Sequence, residues 1–302
     1  MTSRNEIDLL ASYFTLAGDV YPFGPTELSP FSFRERAEAA SKAGWRGMGL
    51  IHEDVQVNAA RIGLKEMRKI ADDNGIRHLE LEFLPNWFKD GALRVQSDAM
   101  RREMMEFAVA LGLRDIKVAP GLGSDITHPT EAELTPDVDR MAQDFYGVCE
   151  DARNAGTNIV LEIMPFSNVR TMETARAIVE GANHPNGGLL IDIWHVSRGN
   201  IPFSKVAELP GRFVGAVELD DALTAQEGTL WEDTIYHRRL PGEGDLDQQG
   251  FIEAVRATGY DGPWGVEILS ETYRKLPLEE MARRSYETTM AQLTQAFEKA
   301  GR

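Results

Sequence analysis

Short apolar runs rich in β-branched and aromatic residues recur along the chain, and longer stretches with helical spacing separate them. The runs that read as strands are YFTLAG (13–18), GMGLI (47–51), HLELEFL (78–84), DIKVAPG (115–121), NIVLEIM (158–164), GLLIDIW (188–194), FVGAVEL (213–219) and WGVEIL (264–269). Between them, residues 33–44 predict a helix that stops at Gly44. Residues 59–75 predict another, with Ile62, Met67, Ile70 and Ala71 on one broad face. Residues 98–111, 136–155, 171–182 and 278–299 read likewise, and Thr171 with Glu173 marks the start of the fifth of these. Alternation of strand and helix predicts a parallel sheet, and eight repeats predict a closed (β/α)8 TIM barrel of the α/β class. The open, doubly wound rival fits less well, because no Gly-rich dinucleotide turn follows an early strand. The expectation is a single domain over residues 1–302, since barrels of this length are routinely one unit.

Composition narrows the function. Lys plus Arg is 32 and Asp plus Glu is 48, a formal net charge of −16. Such a surface repels phosphate backbones and anionic lipid, so nucleic acid and membrane are not expected partners. The one cysteine, Cys149, rules out a disulfide framework or a thiolate cluster. The N-terminus does not read as a signal peptide, and no run approaches the roughly 18 apolar residues of a spanning helix. A cytoplasmic protein is the expectation.

In a barrel of this kind the active site lies at the C-terminal ends of the strands. Ionisable residues gather there: Glu80 and Glu82 on the third strand, Lys117 on the fourth, Glu162 on the fifth, Asp192 and His195 on the sixth. Glu218, Asp220 and Asp221 follow on the seventh, and Glu267 on the eighth. An unpaired buried carboxylate is costly, and several aimed at one mouth repel one another. A divalent cation turns that repulsion into coordination. Asp192 and His195, three apart, can both face the mouth only if the strand ends near Ile193 or Trp194 and the chain turns. Asp192 then reads as a metal ligand. His195 reads as a group behind the ligands, a substrate contact or an acid/base.

These residues carry a resemblance. The segments LEIMP (161–165), IDIWH (191–195), RRLPGEGDLD (238–247) and WGVEIL (264–269) resemble the xylose isomerase-like TIM barrels of the sugar phosphate isomerase/epimerase superfamily. The resemblance covers about residues 10 to 300 and is most specific in the C-terminal half. It implies metal ligation by Glu162, Asp192 and Glu267, a substrate-facing His195, and substrate contact by Arg238. It departs at the seventh strand, where ELDD (218–221) puts Glu218 in the place of the family's usual histidine. Either the ligands are Glu162, Asp192, Glu218 and Glu267, which suits one Mn²⁺ or Mg²⁺ better than Zn²⁺, or Glu218 is not a ligand and the metal is weaker or absent. Lys117, Arg238, Arg239 or a shared proton would offset the excess charge.

Upstream, His52, Asp54, Glu82 and Trp87 fit a polyol pocket, with Phe166, Trp194 and Trp231 as further aromatic candidates. The resemblance implies a divalent-metal-dependent isomerase or epimerase, or a related dehydratase or lyase, acting on a sugar, keto-sugar or cyclitol. It would abstract a proton beside a carbonyl and pass through an enediolate, with Glu162 and Glu267 as base and acid and His195 assisting. A homodimer is a mild implication of the same resemblance. The alternatives are a non-catalytic sugar-binding or partner subunit on a degenerate barrel, and an endonuclease-like phosphodiesterase. Six histidines and the acidic charge weigh against the last.

Overall fold

A computed structural model describes residues 7–299. Eight parallel strands run in sequence order around a closed barrel: β1 (Leu9–Ala11), β2 (Gly47–Ile51), β3 (His78–Leu84), β4 (Asp115–Val118), β5 (Asn158–Glu162), β6 (Gly187–Asp192), β7 (Val214–Leu219) and β8 (Trp264–Val266). Closure is made by β8 pairing back onto β1, with Leu10 opposite Gly265. The helices in chain order are α1 (Tyr13–Leu16), α2 (Phe33–Ala43), α3 (His52–Ile62), α4 (Leu64–Asp73), α5 (Gly91–Leu111) and α6 (Val138–Ala155). They continue with α7 (Met172–Ala182), α8 (Ile193–Arg198), α9 (Phe203–Ala207), α10 (Leu230–Tyr236), α11 (Gln248–Ala257) and α12 (Leu278–Lys299). None of the described helices is long and apolar enough to cross a membrane.

Strand alternation sorts the side chains into two sets. Leu79, Leu81, Ile116, Leu161, Ile191 and Val217 join the apolar layer that also holds the helix faces. The other parity points inward. There Val160, Leu190 and Ala216 make a small apolar plug. Around and above it, the neighbouring positions carry charge: Glu80 pairs in register with Asp115, and Asp192 with Glu218. This inward set is what positions the site.

Local chemistry explains the element ends. Ser32 and Glu35 form a reciprocal capping box at the start of α2, and Gly44 ends it at φ 113°. Thr171 caps α7 by accepting the Thr174 amide. The helix expected over 59–75 is two helices, α3 starting at His52 and α4 ending at Asp73. They break at Gly63, whose φ of 83° no other residue type adopts readily.

The first strand lies elsewhere than its sequence predicted. Residues 13–18 have the aromatic and β-branched content of a strand, yet β1 is Leu9–Ala11, and Tyr13–Leu16 forms the helical turn α1. Tertiary bonding overrides local preference. Ser12 donates its amide to the Val266 carbonyl and ends the pairing. Thr15 then donates its hydroxyl to the same carbonyl at 2.7 Å and accepts the Ile268 amide at 3.0 Å, which pins the turn across the end of β8. Gly49 leaves room for it, since a Cβ there would press on the Tyr13 amide and lie 2.8 Å from the Ser12 carbonyl carbon.

Gly49→Ala should therefore destabilise the protein by about 2–3 kcal/mol, the upper range for overpacking, because the obstacle is backbone. Urea unfolding followed by circular dichroism measures it, and a cost under about 0.5 kcal/mol would show that the turn yields easily.

Candidate functional site

At the end of β6 the chain turns at once into α8. Asp192 caps that helix, its Oδ1 accepting the His195 amide at 2.9 Å. The three-residue spacing is thus a capping geometry that brings an acid and an imidazole to one side of the barrel mouth. The other Asp192 oxygen, Oδ2, accepts from Arg238 at 2.7 Å.

Arg238 is the hub of one half of the site. It is 1% exposed. It pairs with Asp192, with Asp220 at very close range, and with Glu267 at 3.2 Å. It also donates to the Thr234 hydroxyl from two nitrogens. Its guanidinium lies 5.1 Å from the Trp194 ring centroid. Burial disfavours its charge, but Asp192, Asp220 and Glu267 outweigh that and keep it fully protonated.

Lys117 is the hub of the other half. Its ammonium lies 2.6 Å from Glu218, 3.0 Å from Glu80 and 3.8 Å from Glu82. Ser12 adds a very short hydroxyl bond to the same Glu218 oxygen. The surrounding carboxylates again outweigh burial and hold Lys117 protonated.

Two cations do not balance the acids they meet. Burial, then the charges of Glu218 and Asp192, push the Glu162 carboxyl well above the usual range. Burial and Glu218 do the same to Glu267. Burial raises Glu82 and pushes Glu80 up to about 8. Asp192 is the exception: burial would raise it, but Arg238 and His195 together hold it below the usual range. Burial depresses His195 to about 4, so its ring is neutral at neutral pH.

Two triads offer ligand atoms within 4.8 Å of one another: Glu162, Asp192 and His195, and Asp192, Glu218 and Glu267. They share Asp192. Glu218 Oε2 and His195 Nδ1 are buried without a hydrogen-bond partner. An orphaned carboxylate oxygen on Glu218 beside mutually repelling carboxylates is what a divalent cation satisfies, so the acidic set fits a metal. His195 Nε2 also lies 3.2 Å from Glu162 and 3.3 Å from Arg238.

Beside these groups lies a pocket open to solvent. Glu82, Glu162, His195, Arg238 and Glu267 line it. Several residues singled out in the sequence do not, Asp192, Glu218 and Trp194 among them. His52 bonds Glu103 at 2.8 Å and packs on Phe107. Its side chain faces α5 because His52 is the first residue of α3, past the mouth. Trp87 is buried, donates its indole N–H to the Ala119 carbonyl and packs on Phe88 and Phe145. Lys117 lies below the pocket, consumed by three carboxylates. Asp54 is tied to Arg36. Of the charge-offsetting candidates, Arg239 is exposed, and its backbone pairs with Asp221. Asp221 accepts the amides of Ala222, Gly242 and Leu246 and so folds the Pro241–Gly242 loop.

Sequence reading gave no role to Ser12 or Thr234 and none to Asp220 beyond its position. Ser12 was hidden by the misplaced first strand: with β1 at Leu9–Ala11, it stands at a strand end like the acids. Thr234 stands four residues before Arg238, a local spacing at the end of α10 that was the available signal.

The sequence model of the xylose isomerase-like TIM barrel matches residues 37–292. The 3-dehydroshikimate dehydratase of Pseudomonas putida is 26% identical over 253 residues, which are 82% of this chain and 38% of that protein. The chain thus spans less than two fifths of the length of that dehydratase. The inosose isomerase of Bacillus velezensis is 25% identical over 66% of this chain and 69% of its own. Among solved structures, the IolI protein with a bound zinc atom superposes with a TM-score of 0.82 at 20% identity, covering 96% of this chain and 99% of that one.

Lys117→Met should cost about 3–5 kcal/mol in the metal-free protein, since it leaves Glu218 buried and unpaired. Adding Glu218→Gln should recover at least about 2 kcal/mol of that. Denaturant unfolding of the two single variants and the double variant checks the coupling, and strict additivity would show that the pair is not interacting.

Proposed function

The chain belongs to the xylose isomerase-like TIM barrel family, and we propose that it is a divalent-metal-dependent isomerase or epimerase, or a dehydratase of the same chemistry, acting on a sugar, keto-sugar or cyclitol. The observation that carries this reading is the convergence of Glu162, Asp192, His195, Glu218 and Glu267 in two triads that share Asp192, with Glu162, His195 and Glu267 lining the pocket. The relatives named above support the substrate class, one by a name that includes inosose and one by a dehydratase name.

Asp192, Glu218, Glu267 and Glu162 would hold the cation. A set dominated by carboxylates suits Mn²⁺ or Mg²⁺ better than Zn²⁺. When bound, the metal supplies a Lewis acid that polarises a substrate carbonyl and offsets the developing negative charge. The rest falls to the protein. Glu162 ends β5 and Glu267 directly follows β8, and both line the pocket. Each carboxylate is able to take up a proton and to return it. One takes the proton from the carbon beside the carbonyl. His195, neutral and 3.2 Å from Glu162, receives or relays it. Return to the opposite face gives epimerisation, and return to the neighbouring carbon gives isomerisation. Loss of a β-hydroxyl instead gives dehydration. Arg238 holds Asp192 and Glu267 in place; its donors are already engaged, so its role is positioning.

Purified protein should take up about one Mn²⁺ per chain, and Glu162→Gln should lower that content, by elemental mass spectrometry. In D2O the Mn²⁺-loaded enzyme should place deuterium beside the carbonyl of inosose, D-fructose or 3-dehydroshikimate, read by NMR. Glu267→Gln should slow this by at least about 100-fold. A wild-type protein that takes up no Mn²⁺ contradicts the reading and leaves the binding-subunit alternative in front.

Proton linkage gives a second check. Glu162 and Glu267 hold protons that the cation must displace, so affinity rises with pH until those carboxyls ionise on their own. Calorimetric Mn²⁺ titrations in two buffers of different ionisation enthalpy should show proton release at pH 6.5. A Kd that is flat between pH 5.5 and 7.5 would contradict it.

A further inference from the structure

Above its acidic floor the pocket changes character. Its outer wall includes Phe14, Phe23, Met164, Phe166 and Trp231. We propose that this outer half is a subsite for an uncharged aromatic group carried by the substrate, with Phe23 and Trp231 as its adjoining walls. The proposal rests on the reading above only in that the floor takes the oxygenated ring.

Phe23 is the strongest observation. It is 64% exposed, an unusual place for a phenylalanine. Its φ is +57°, a left-handed conformation that a bulky side chain adopts only under constraint. The constraint is visible. Glu27 accepts the Phe23 amide at 2.7 Å, and the Tyr21 carbonyl accepts the Gly24 amide at 3.0 Å. The buried Tyr13 hydroxyl donates to the Glu27 carbonyl at 2.7 Å, which ties the turn to the barrel. The fold therefore spends backbone strain to hold an apolar ring out in water at the pocket rim.

The ring has company. Phe23 meets Trp231 edge to face, with centroids 5.6 Å apart at 62°. Trp231 meets Phe166 at 5.7 Å and 81°, and Phe166 lies 5.9 Å from His195. A continuous aromatic track thus runs from the rim to the imidazole on the floor. Ring faces and edges of this kind recognise another aromatic group. They do not suit a phosphate. Among the described residues that line the pocket, Arg238 is the one Lys or Arg, and it lies on the floor bound to Asp192 and Glu267. An anion in the outer half would find no counter-charge and would face Glu27. The substrate so defined is a polyhydroxylated ring that bears a neutral aryl group.

The test titrates Mn²⁺-loaded protein with methyl β-D-glucoside, phenyl β-D-glucoside and free phenol, following calorimetry and tryptophan fluorescence. The phenyl glucoside should bind about tenfold tighter than the methyl glucoside. In Phe23→Asn, chosen because asparagine tolerates the left-handed turn, that advantage should fall below about threefold while bound Mn²⁺ stays the same. Equal affinity for the two glucosides overturns the proposal, and so does an advantage that survives Phe23→Asn. If the floor rejects both glucosides, phenol alone still reads the wall: saturable binding weakened in Phe23→Asn supports the subsite, and its absence overturns it. Failure of the functional reading shows separately, as a wild-type protein without metal, and the phenol titration does not depend on it.

Discussion

The mouth of this barrel holds more buried carboxylates than its cations can neutralise. Lys117 meets Glu80, Glu82 and Glu218. Arg238 meets Asp192, Asp220 and Glu267. Among the described residues, the ion-pair partner of Glu162 is the neutral His195. The remaining charge must be removed by retained protons or by a bound cation, because several uncompensated carboxylates cannot share a low-dielectric cavity. That imbalance ties the stability of the interior to its chemistry. The groups raised in proton affinity are the ones able to ligate a metal and to exchange a proton with a substrate.

The two cations divide the work by depth. Lys117 lies deep, where its attachment to Glu218 and the Ser12 hydroxyl compensates the acid on β7. Arg238 lies higher and carries a hydrogen-bonded frame of Asp192, Asp220 and Thr234. Arginine suits that place, since its planar donors serve several acceptors at once. Above both, the polar floor gives way to an aromatic wall built from loops and short helices of separate units. The strand ends supply the acidic floor and the loops supply the aromatic wall, the division that this architecture usually shows.

Much of this was legible in the chain. Seven of the eight strands fall on the runs that predicted them, because each run is an apolar stretch bounded by turn residues. The acids at the ends of the fifth to eighth strands were legible too, since alternation alone puts one parity of side chain on the inside. Where reading failed, a residue's partner was distant. Tyr13–Leu16 has strand-like composition, but the bonds of Thr15 to Val266 and Ile268 make it a turn. His52 has the look of a site residue, but one step into α3 its ring swings toward Glu103. Trp87 is a packing residue whose indole found the Ala119 carbonyl.

The sequence by itself determined the barrel, the order of its strands and the ring of strand-end acids, because these follow from periodicity and from spacing within single elements. Only the tertiary structure decided which acids share a cation, that Ser12 belongs to the site, and that Phe23 hangs over it. Those facts depend on closure of β8 onto β1 and on loops meeting from units far apart in the chain, and no local pattern encodes a distance between them.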